Sequence, residues 1–326
     1  MTNKVTVAQN DAFDSLLSTA LSRTAPVREH TNAYRLIDEV RGEIPGVSVE
    51  IYGDYAALLL YDEKALGVLP EVAASLLRLG LSGVYLKRHE VTSQGAARGQ
   101  APSELLSGVE APQEFALHED EQKALIWLRE GASTGLFVDQ RDNRKKVRSQ
   151  CTGKSLLNLF CYTGSFTVAA ALGGATQTVS VDISARALKR SSENLALNGC
   201  HSDRHRLLKD DARKWLDRAN KRGDRFDWVV LDPPVFARVG KGTFSVTRDY
   251  VQLAARALSV LAEKGTLLSV LNHRGTVQTQ MIGLLKEAAV LARRTVRRIE
   301  TLKPPQDCCD AQGHSAVKSL LVEVAG

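Results

Sequence analysis

From Ser155 onward the chain repeats one rhythm: a short apolar run, a turn built on glycine or aspartate, then an amphipathic stretch. Few folds accept that pattern. Period-2 and buried-run stretches predict strands at 156–160, 178–182, 206–210, 228–232, 265–271 and 296–301. The 3.6-residue period predicts helices between them at 165–171, 184–198, 212–220, 248–262 and 277–292. Strands alternating with helices across short connections imply a mostly parallel sheet covered on both faces. The fold class expected is therefore α/β, a Rossmann-like doubly wound domain, and such folds bind ligands at the carboxyl ends of their strands.

The rest of the 326 residues leaves room for a second, smaller unit. Residues 7–24 read as a helix. Between Tyr34 and Leu86 the pattern shortens to strands at 47–51, 55–60 and 83–86 around a helix at 69–79, a small α+β unit. The stretch 89–104 has loop composition and predicts a mobile loop. Strands are expected from 110 to 140, the last at 135–139. The organisation predicted is an N-terminal helix at 1–30, a small α+β domain at 31–134, a connecting hairpin at 135–150 and the Rossmann-like domain at 151–326. No internal repeat of solenoid length is present. Apolar runs such as 56–60 fall far short of the ~18–20 residues of a membrane span, and no secretory signal is legible, so a cytoplasmic location with no membrane contact is expected. Five cysteines, Cys151, Cys161, Cys200, Cys308 and Cys309, form no CxxC pair, so neither a disulfide framework nor a metal site is predicted. The adjacent Cys308 and Cys309 read as reduced residues, with a redox role as the alternative.

Charge is unevenly spread. Residues 1–130 hold 12 Lys/Arg against 19 Asp/Glu, net −7, and residues 131–326 hold 31 against 18, net +13. Clusters at 141–148 and 293–298 give the C-terminal part the means to attract a polyanion, which makes nucleic acid a candidate partner. Solvated helix faces are the plainer alternative.

The predicted strand ends carry a constellation. After the first strand comes Asn158-Leu-Phe160-Cys-Tyr162-Thr163-Gly164, a tight turn where glycine admits close backbone approach. It lacks the G-x-G-x-x-G of dinucleotide sites. The second strand ends at Asp182, 18 residues past Gly164, where a carboxylate can accept both hydroxyls of a ribose. The third ends at Asp210-Asp211 and the fourth at Asp232-Pro233-Pro234. Carboxylates at three successive strand ends oppose phosphate, so a nucleoside bearing no phosphate there fits best, and a sulfonium such as S-adenosylmethionine fits better than NAD or ATP.

The segments NLFCYTGSFTVAAALGGA, VSVDIS with ENLALNG, and FDWVVLDPPVFAR resemble the class I S-adenosylmethionine-dependent methyltransferases, specifically the bacterial 23S rRNA large-subunit methyltransferase group. Upstream, AYRLIDEVRGEIPGVSVEIYGDY and GLFVDQRDNRKKVR are similar to that group's small central domain and joining β-hairpin. The similarity runs from about Tyr34 to the end, and the RNA-binding PUA domain that many members carry at the N-terminus is expected to be absent. The resemblance implies that Asn158, Phe160, Tyr162, Thr163 and Gly164 form the cofactor turn, Asp182 meets the ribose hydroxyls, Ile183 joins the cofactor contacts, and Asp211 meets the adenine amino group, with Asp210 competing for that last role. It also implies that Gln140, Arg141 and Arg144 sit beside the active-site mouth, with Gln140 and Arg141 toward the cofactor and Arg144 toward the substrate. Asp232, Pro233 and Pro234 would lie beside the methyl group. For each of the three carboxylates, capping a helix is the competing role. Phe236 is expected to stack on a target base or to be a core aromatic.

Methylation at carbon 5 of a pyrimidine needs a thiolate that adds to the ring. Members with that chemistry carry Ser-Cys-Ser after the fifth strand, where this chain reads Ser269-Val-Leu-Asn272-His273. The segments 244–250 and 267–274 instead resemble the guanine-N7 methyltransferase half of the fused bacterial enzyme. A ring nitrogen has an exposed lone pair, so alignment and exclusion of water suffice, without metal or covalent intermediate. The resemblance then assigns Asn272 to the base edge and His273 or Arg274 to base or phosphate. Lys303 to Asp310 departs from the group's pattern and is expected to form a substrate lip. The expected partner is ribosomal RNA. A small-molecule or protein acceptor, a cytosine-C5 enzyme and an RNA-binding assembly protein remain alternatives, and the sequence does not specify an oligomeric state.

Overall fold

The computed structural model describes residues 3–89, 103–131, 133–239, 242–273 and 275–326, and the side chains at 3–11, 236–239, 242–244, 246 and 247 lie outside the description. The chain forms two compact units, Met1–Asp139 with Pro305–Ser315, and Gln140–Pro304 with Ala316–Gly326.

In the first unit, α1 (Asn3–Arg28) precedes β1 (Ala33–Ile37), β2 (Val47–Tyr52), β3 (Tyr55–Leu60), α2 (Leu69–Arg78), β4 (Gly83–Arg88) and β5 (Glu104–Gly108), followed by the hairpin of β6 (Phe115–Glu119) and β7 (Gln122–Ile126). The five strands form one sheet in chain order, antiparallel except that β3 and β4 run parallel across α2. Alternation sets the two faces: Leu58 and Leu60 meet Leu17, Val72 and Leu76, whereas Ala57 and Leu59 meet Leu117 and Ile126. Buried on both faces, β3 reads as an unbroken apolar run, as a central strand should.

Three expectations are corrected in this region. The connecting hairpin at 135–150 and the strand at 135–139 do not form: Val138–Gln140 is a single 3-10 turn that leads directly into a helix. The hairpin lies upstream, at β6 and β7. The expected lip at 303–310 is corrected too, because Pro305–Ser315 returns to the first unit. There Asp307, 3% exposed, accepts the Arg35 backbone N–H at 2.9 Å, and Cys308 joins the core. The loop predicted at 89–104 falls mostly on 90–102, outside the described residues.

The second unit contains α3 (Arg141–Gln150), β8 (Ser155–Leu159), α4 (Ser165–Leu172), β9 (Gln177–Asp182), α5 (Ala185–Leu197), β10 (His205–Lys209), α6 (Ala212–Arg222) and β11 (Phe226–Leu231). A small hairpin, β12 (Phe236–Val239) with β13 (Gly242–Ser245), leads into α7 (Val246–Ser259), β14 (Leu261–Leu271), α8 (Gln278–Leu291), β15 (Val296–Leu302) and β16 (Lys318–Val324). The sheet order is β10-β9-β8-β11-β14-β16-β15. All neighbours are parallel except at β16, which runs antiparallel to both its partners. This is the doubly wound α/β fold expected from the alternation. β11 shows why it closes: Trp228 and Val230 face Val147, Phe166 and Ala170, while Val229 and Leu231 face Trp215, Leu253 and Leu285. The chain reverses its order of addition between β8 and β11, and the crevice at such a switch point is where doubly wound sheets bind ligands.

Candidate active site

The turn after β8 is held by backbone geometry that few residues adopt. Phe160 (φ 57°), Tyr162 (φ 49°) and Gly164 (φ 77°) all lie in the left-handed region. For Phe and Tyr this conformation costs free energy, and outliers of this kind persist where surrounding contacts enforce them. The contacts are visible. Asp182, at the end of β9, accepts the Tyr162 N–H on one carboxylate oxygen at 2.9 Å and the Ser184 N–H on the other at 2.8 Å. Asn194 of α5 donates to the Thr163 carbonyl at 2.9 Å. A β-carbon on Gly164 would lie 2.0 Å from Ser191 Oγ, so α5 packs directly against the turn and only glycine fits.

Asp182 is therefore a fixed carboxylate. Each oxygen accepts one backbone N–H, and each keeps acceptor capacity toward solvent. Ile183 beside it is 53% exposed, an apolar side chain displayed at the same edge. Asp232 follows β11 and is half-buried, Pro233 is buried and Pro234 exposed. Neither the turn at 160–164 nor the strand ends 182–184 and 232–234 contain a Lys or Arg. A hydroxyl-bearing nucleoside with a cationic centre fits this set of acceptors.

Other expected site residues take different positions. Asn158 is 1% exposed, and its amide donates to Thr167 Oγ1 at 2.9 Å, with Thr167 in turn bonded to Ser180 at 2.6 Å. It is an internal strut beneath the turn, a correction to its assignment as a ligand contact. Asp211 caps α6: it accepts the Arg213 N–H at 2.9 Å and the Arg213 guanidinium at 2.9 Å. Burial opposes its charge, but the Arg213 side chain and N–H and the Lys214 N–H together hold the carboxyl below its usual range. The competing capping role is thus the one formed here, while Asp210 pairs with Arg218. Gln140 and Arg141 are buried, Gln140 accepting the Asn143 amide at 2.7 Å. Arg144 is 1% exposed, so it is an interior side chain rather than a substrate contact on an open mouth. Of the 141–148 cluster, Arg141 and Arg144 are buried, Lys146 and Arg148 half-buried and Lys145 exposed. Asn272, just past β14, is exposed, and the His273 ring bonds Thr276 Oγ1 at 2.8 Å. Phe236 opens β12, its side chain outside the description, and Arg274 lies outside the described residues.

Sequence reasoning missed Ser191, Asn194, Tyr250 and Ser269. The first two are polar residues on the inward face of α5 beside Ala187, Leu188 and Leu195, a break in the apolar stripe that marks a polar task. Tyr250 is 1% exposed and its phenol meets the buried Ser269 hydroxyl on β14. Burial, with Asp232 nearby, pushes that phenol well above its ordinary range despite the Ser269 bond. Ser269 pairs in register with Leu231, the residue before Asp232.

Four of the five cysteine thiols are disfavoured as thiolates by burial. Burial pushes Cys151 up to about 12 and, with Asp182 nearby, holds Cys161 well above its ordinary range. Burial raises Cys200 and Cys309 as well, and Cys308 is fully buried.

A mostly parallel sheet with a glycine turn and acidic strand ends at its switch point defines a nucleoside-binding protein of the doubly wound class. The chain belongs to the S-adenosylmethionine-dependent methyltransferase family, whose profile matches residues 82–323. It is 31% identical over 301 residues to YwbD of Bacillus subtilis (strain 168), provisionally named a ribosomal RNA large subunit methyltransferase, covering 90% of this chain and 75% of that protein. It is 36% identical over 266 residues to ribosomal RNA large subunit methyltransferase K/L of Chromohalobacter salexigens, covering 77% of this chain but only 34% of that longer protein. Among solved structures, SMU.776, described as a methyltransferase complexed with SAH, superposes with a TM-score of 0.85 at 28% identity, covering 97% of this chain and 82% of that one. The protein is an S-adenosylmethionine-dependent methyltransferase, with S-adenosylmethionine as its cofactor.

Proposed function

We propose that the methyl acceptor is a base of ribosomal RNA, with a guanine ring nitrogen favoured, and that transfer is direct. The chemistry at the exit of β14 carries this reading. The segment where a nucleophilic cysteine would stand reads Ser269-Val-Leu-Asn272-His273, and Asn272 offers an exposed amide able to hydrogen-bond a base edge. Cys161, the thiol within the turn at 160–164, is buried and held protonated, which disfavours the covalent route to carbon 5 of a pyrimidine. The names of the relatives, ribosomal RNA large subunit methyltransferases, support an RNA acceptor.

In this reading Asp182 binds the ribose hydroxyls, Ile183 packs on the purine, and the turn at 160–164 receives the amino-acid end of the cofactor. Bound S-adenosylmethionine supplies an electrophilic methyl group. Asp232, Pro233 and Pro234 shape the opening beside that methyl, and Asn272 aligns the base so that its lone pair meets the carbon in line. His273, fixed by Thr276, keeps the Asn272 loop in place. Since Asp211 is already engaged by Arg213, any contact it makes to the adenine amino group uses remaining acceptor capacity.

The test is transfer of labelled methyl from S-adenosylmethionine to purified ribosomal RNA and to intact ribosomal particles, with nuclease digestion and mass spectrometry of the product. A 7-methylguanosine product is expected. Detection of 5-methylcytidine would overturn the thiol-free route, and no incorporation into either substrate would move the acceptor to a small molecule or protein.

A further inference from the structure

The amino ends of the central strands, opposite the edge that holds Asp182 and Asp232, gather a second group of arginines. Phe226 donates its N–H to the Val260 carbonyl at 2.9 Å, which brings Arg225 beside the start of β14. Arg294 reaches the same place from the far side of α8 and donates to the Leu261 and Ala262 carbonyls at 2.8 and 2.7 Å. Thr295 accepts the Ala325 N–H at 2.8 Å, which fixes the start of β15 alongside. Three segments distant in sequence thus converge at one pole.

Arg225, Arg293 and Arg297 are exposed there. Arg225 donates to the Asp224 carbonyl at 2.8 Å, but among the described residues no carboxylate pairs with these three guanidinium groups. Asp224 pairs with Arg222 at 2.6 Å, and Glu323 lies with Arg298. Glu263 is the acid facing Arg294, yet burial and the adjacent Arg225 still hold the Arg294 guanidinium below its ordinary range. Like charges assembled on a folded surface repel, and that cost is recovered when an anion binds among them. Arg294, tied to two carbonyls, acts as a rigid support, with Arg293 exposed in the same turn and Arg297 exposed at the start of β15, where the pairing with β16 shifts register. The six residues of β11 separate this pole from the methyl-transfer edge by about 20 Å at ~3.3 Å per residue, so it is not part of the cofactor site.

We infer that this pole is a second RNA contact, in which Arg225, Arg293 and Arg297 grip the sugar-phosphate backbone of the acceptor away from the target base. The inference rests on RNA being the acceptor. Guanidinium groups suit phosphate because their planar forks donate paired hydrogen bonds. A contact of this kind positions the RNA without reading its sequence.

The experiment measures binding of ribosomal RNA by the full chain across ~50 to 200 mM salt, for the wild type, Arg293→Glu with Arg297→Glu, and the control Arg206→Glu on the opposite edge strand. The double variant is expected to bind at least tenfold more weakly, with a log–log salt dependence shallower by about 1–2, roughly one for each phosphate left without its arginine. Its S-adenosylmethionine affinity and thermal midpoint should match the wild type. An unchanged affinity and slope in a wild-type-like fold would overturn the pole while leaving the RNA acceptor standing. Equal weakening by Arg206→Glu would also overturn it, since any exposed cation would then serve. If the wild type neither binds nor methylates RNA, the acceptor assignment falls and takes this inference with it.

Discussion

Asp182 and Gly164 sit at opposite ends of one constraint. The carboxylate pins Tyr162 and Ser184 through two backbone N–H groups, and the glycine lets α5 close over the same turn. Asp182→Ala should therefore weaken S-adenosylmethionine binding tenfold or more, about 1.4 kcal/mol per decade, by removing both the proposed ribose acceptor and the tether of the turn. Calorimetric titration with the cofactor checks this, and unchanged affinity would remove Asp182 from the site. Gly164→Ala should be at least as damaging, because the added methyl meets Ser191 Oγ at 2.0 Å and the backbone is left-handed. Adding Ser191→Gly opens that space and should restore part of the affinity, the left-handed strain of about 1 kcal/mol remaining. If the double variant binds no better than Gly164→Ala, the packing of α5 is not what limits the turn.

Between elements, Tyr250 on α7 bonds Ser269 on β14, two residues before that strand ends at Leu271. Ser269 lies three residues before Asn272 and in register with Leu231, so the proposed base contact and the Asp232 turn share one anchor. Tyr250→Phe leaves the Ser269 hydroxyl buried with one partner fewer, a loss of about 1–2 kcal/mol in stability. Methyl transfer to RNA should slow several-fold while cofactor affinity holds, since the turn at 160–164 does not depend on Tyr250. Stopped-time transfer assays beside cofactor titration separate the two effects, and equal loss in both would make the bond a general fold contact. None of this was legible in the sequence: Tyr250 reads as one more apolar residue of an amphipathic helix, and its neighbour on β14 is 19 positions away. The hairpin predicted at 135–150 failed for a related reason. Gly135-Leu-Phe-Val has strand composition, but Arg141 to Gln150 has helical periodicity with Val147 and the aliphatic stems of buried arginines inward, and composition alone does not reveal which side chains will be covered.

Across the whole molecule, stability should depend on Lys87. Its ammonium, 1% exposed, donates to the Leu128, Glu130 and Gly131 carbonyls at 2.6, 3.1 and 2.8 Å. Burial brings it down from its ordinary value of 10.5 to about 7, with Glu50 opposing. Above pH 7 the folded chain releases this proton while the unfolded chain keeps it until about 10.5, so the unfolded state binds more protons and stability gains with rising pH in that window. Below pH 7 both states are protonated and the contribution stays constant. The buried thiols act oppositely above about 9, where the unfolded chain ionises first. Chemical denaturation of the wild type and Lys87→Met from pH 6.5 to 9 should show a rise in the wild type that the variant lacks, and parallel curves would show that the three carbonyls hold the proton on the amine.

The sequence by itself determined the doubly wound sheet, its strand ends and the acidic turns, because periodicity of apolar residues and the chemistry of Asp and Gly at chain reversals act over a few neighbouring residues. Helix capping is equally local, which is why Asp211 could be read as a cap beside its other role. Tertiary structure alone decided that Asn158 is a strut, that Arg144 is buried, and that 305–315 leaves one unit to complete the core of the other. Each depends on what packs against a side chain from far along the chain: Asp307 meets Arg35 across 272 positions, and no local pattern carries that contact.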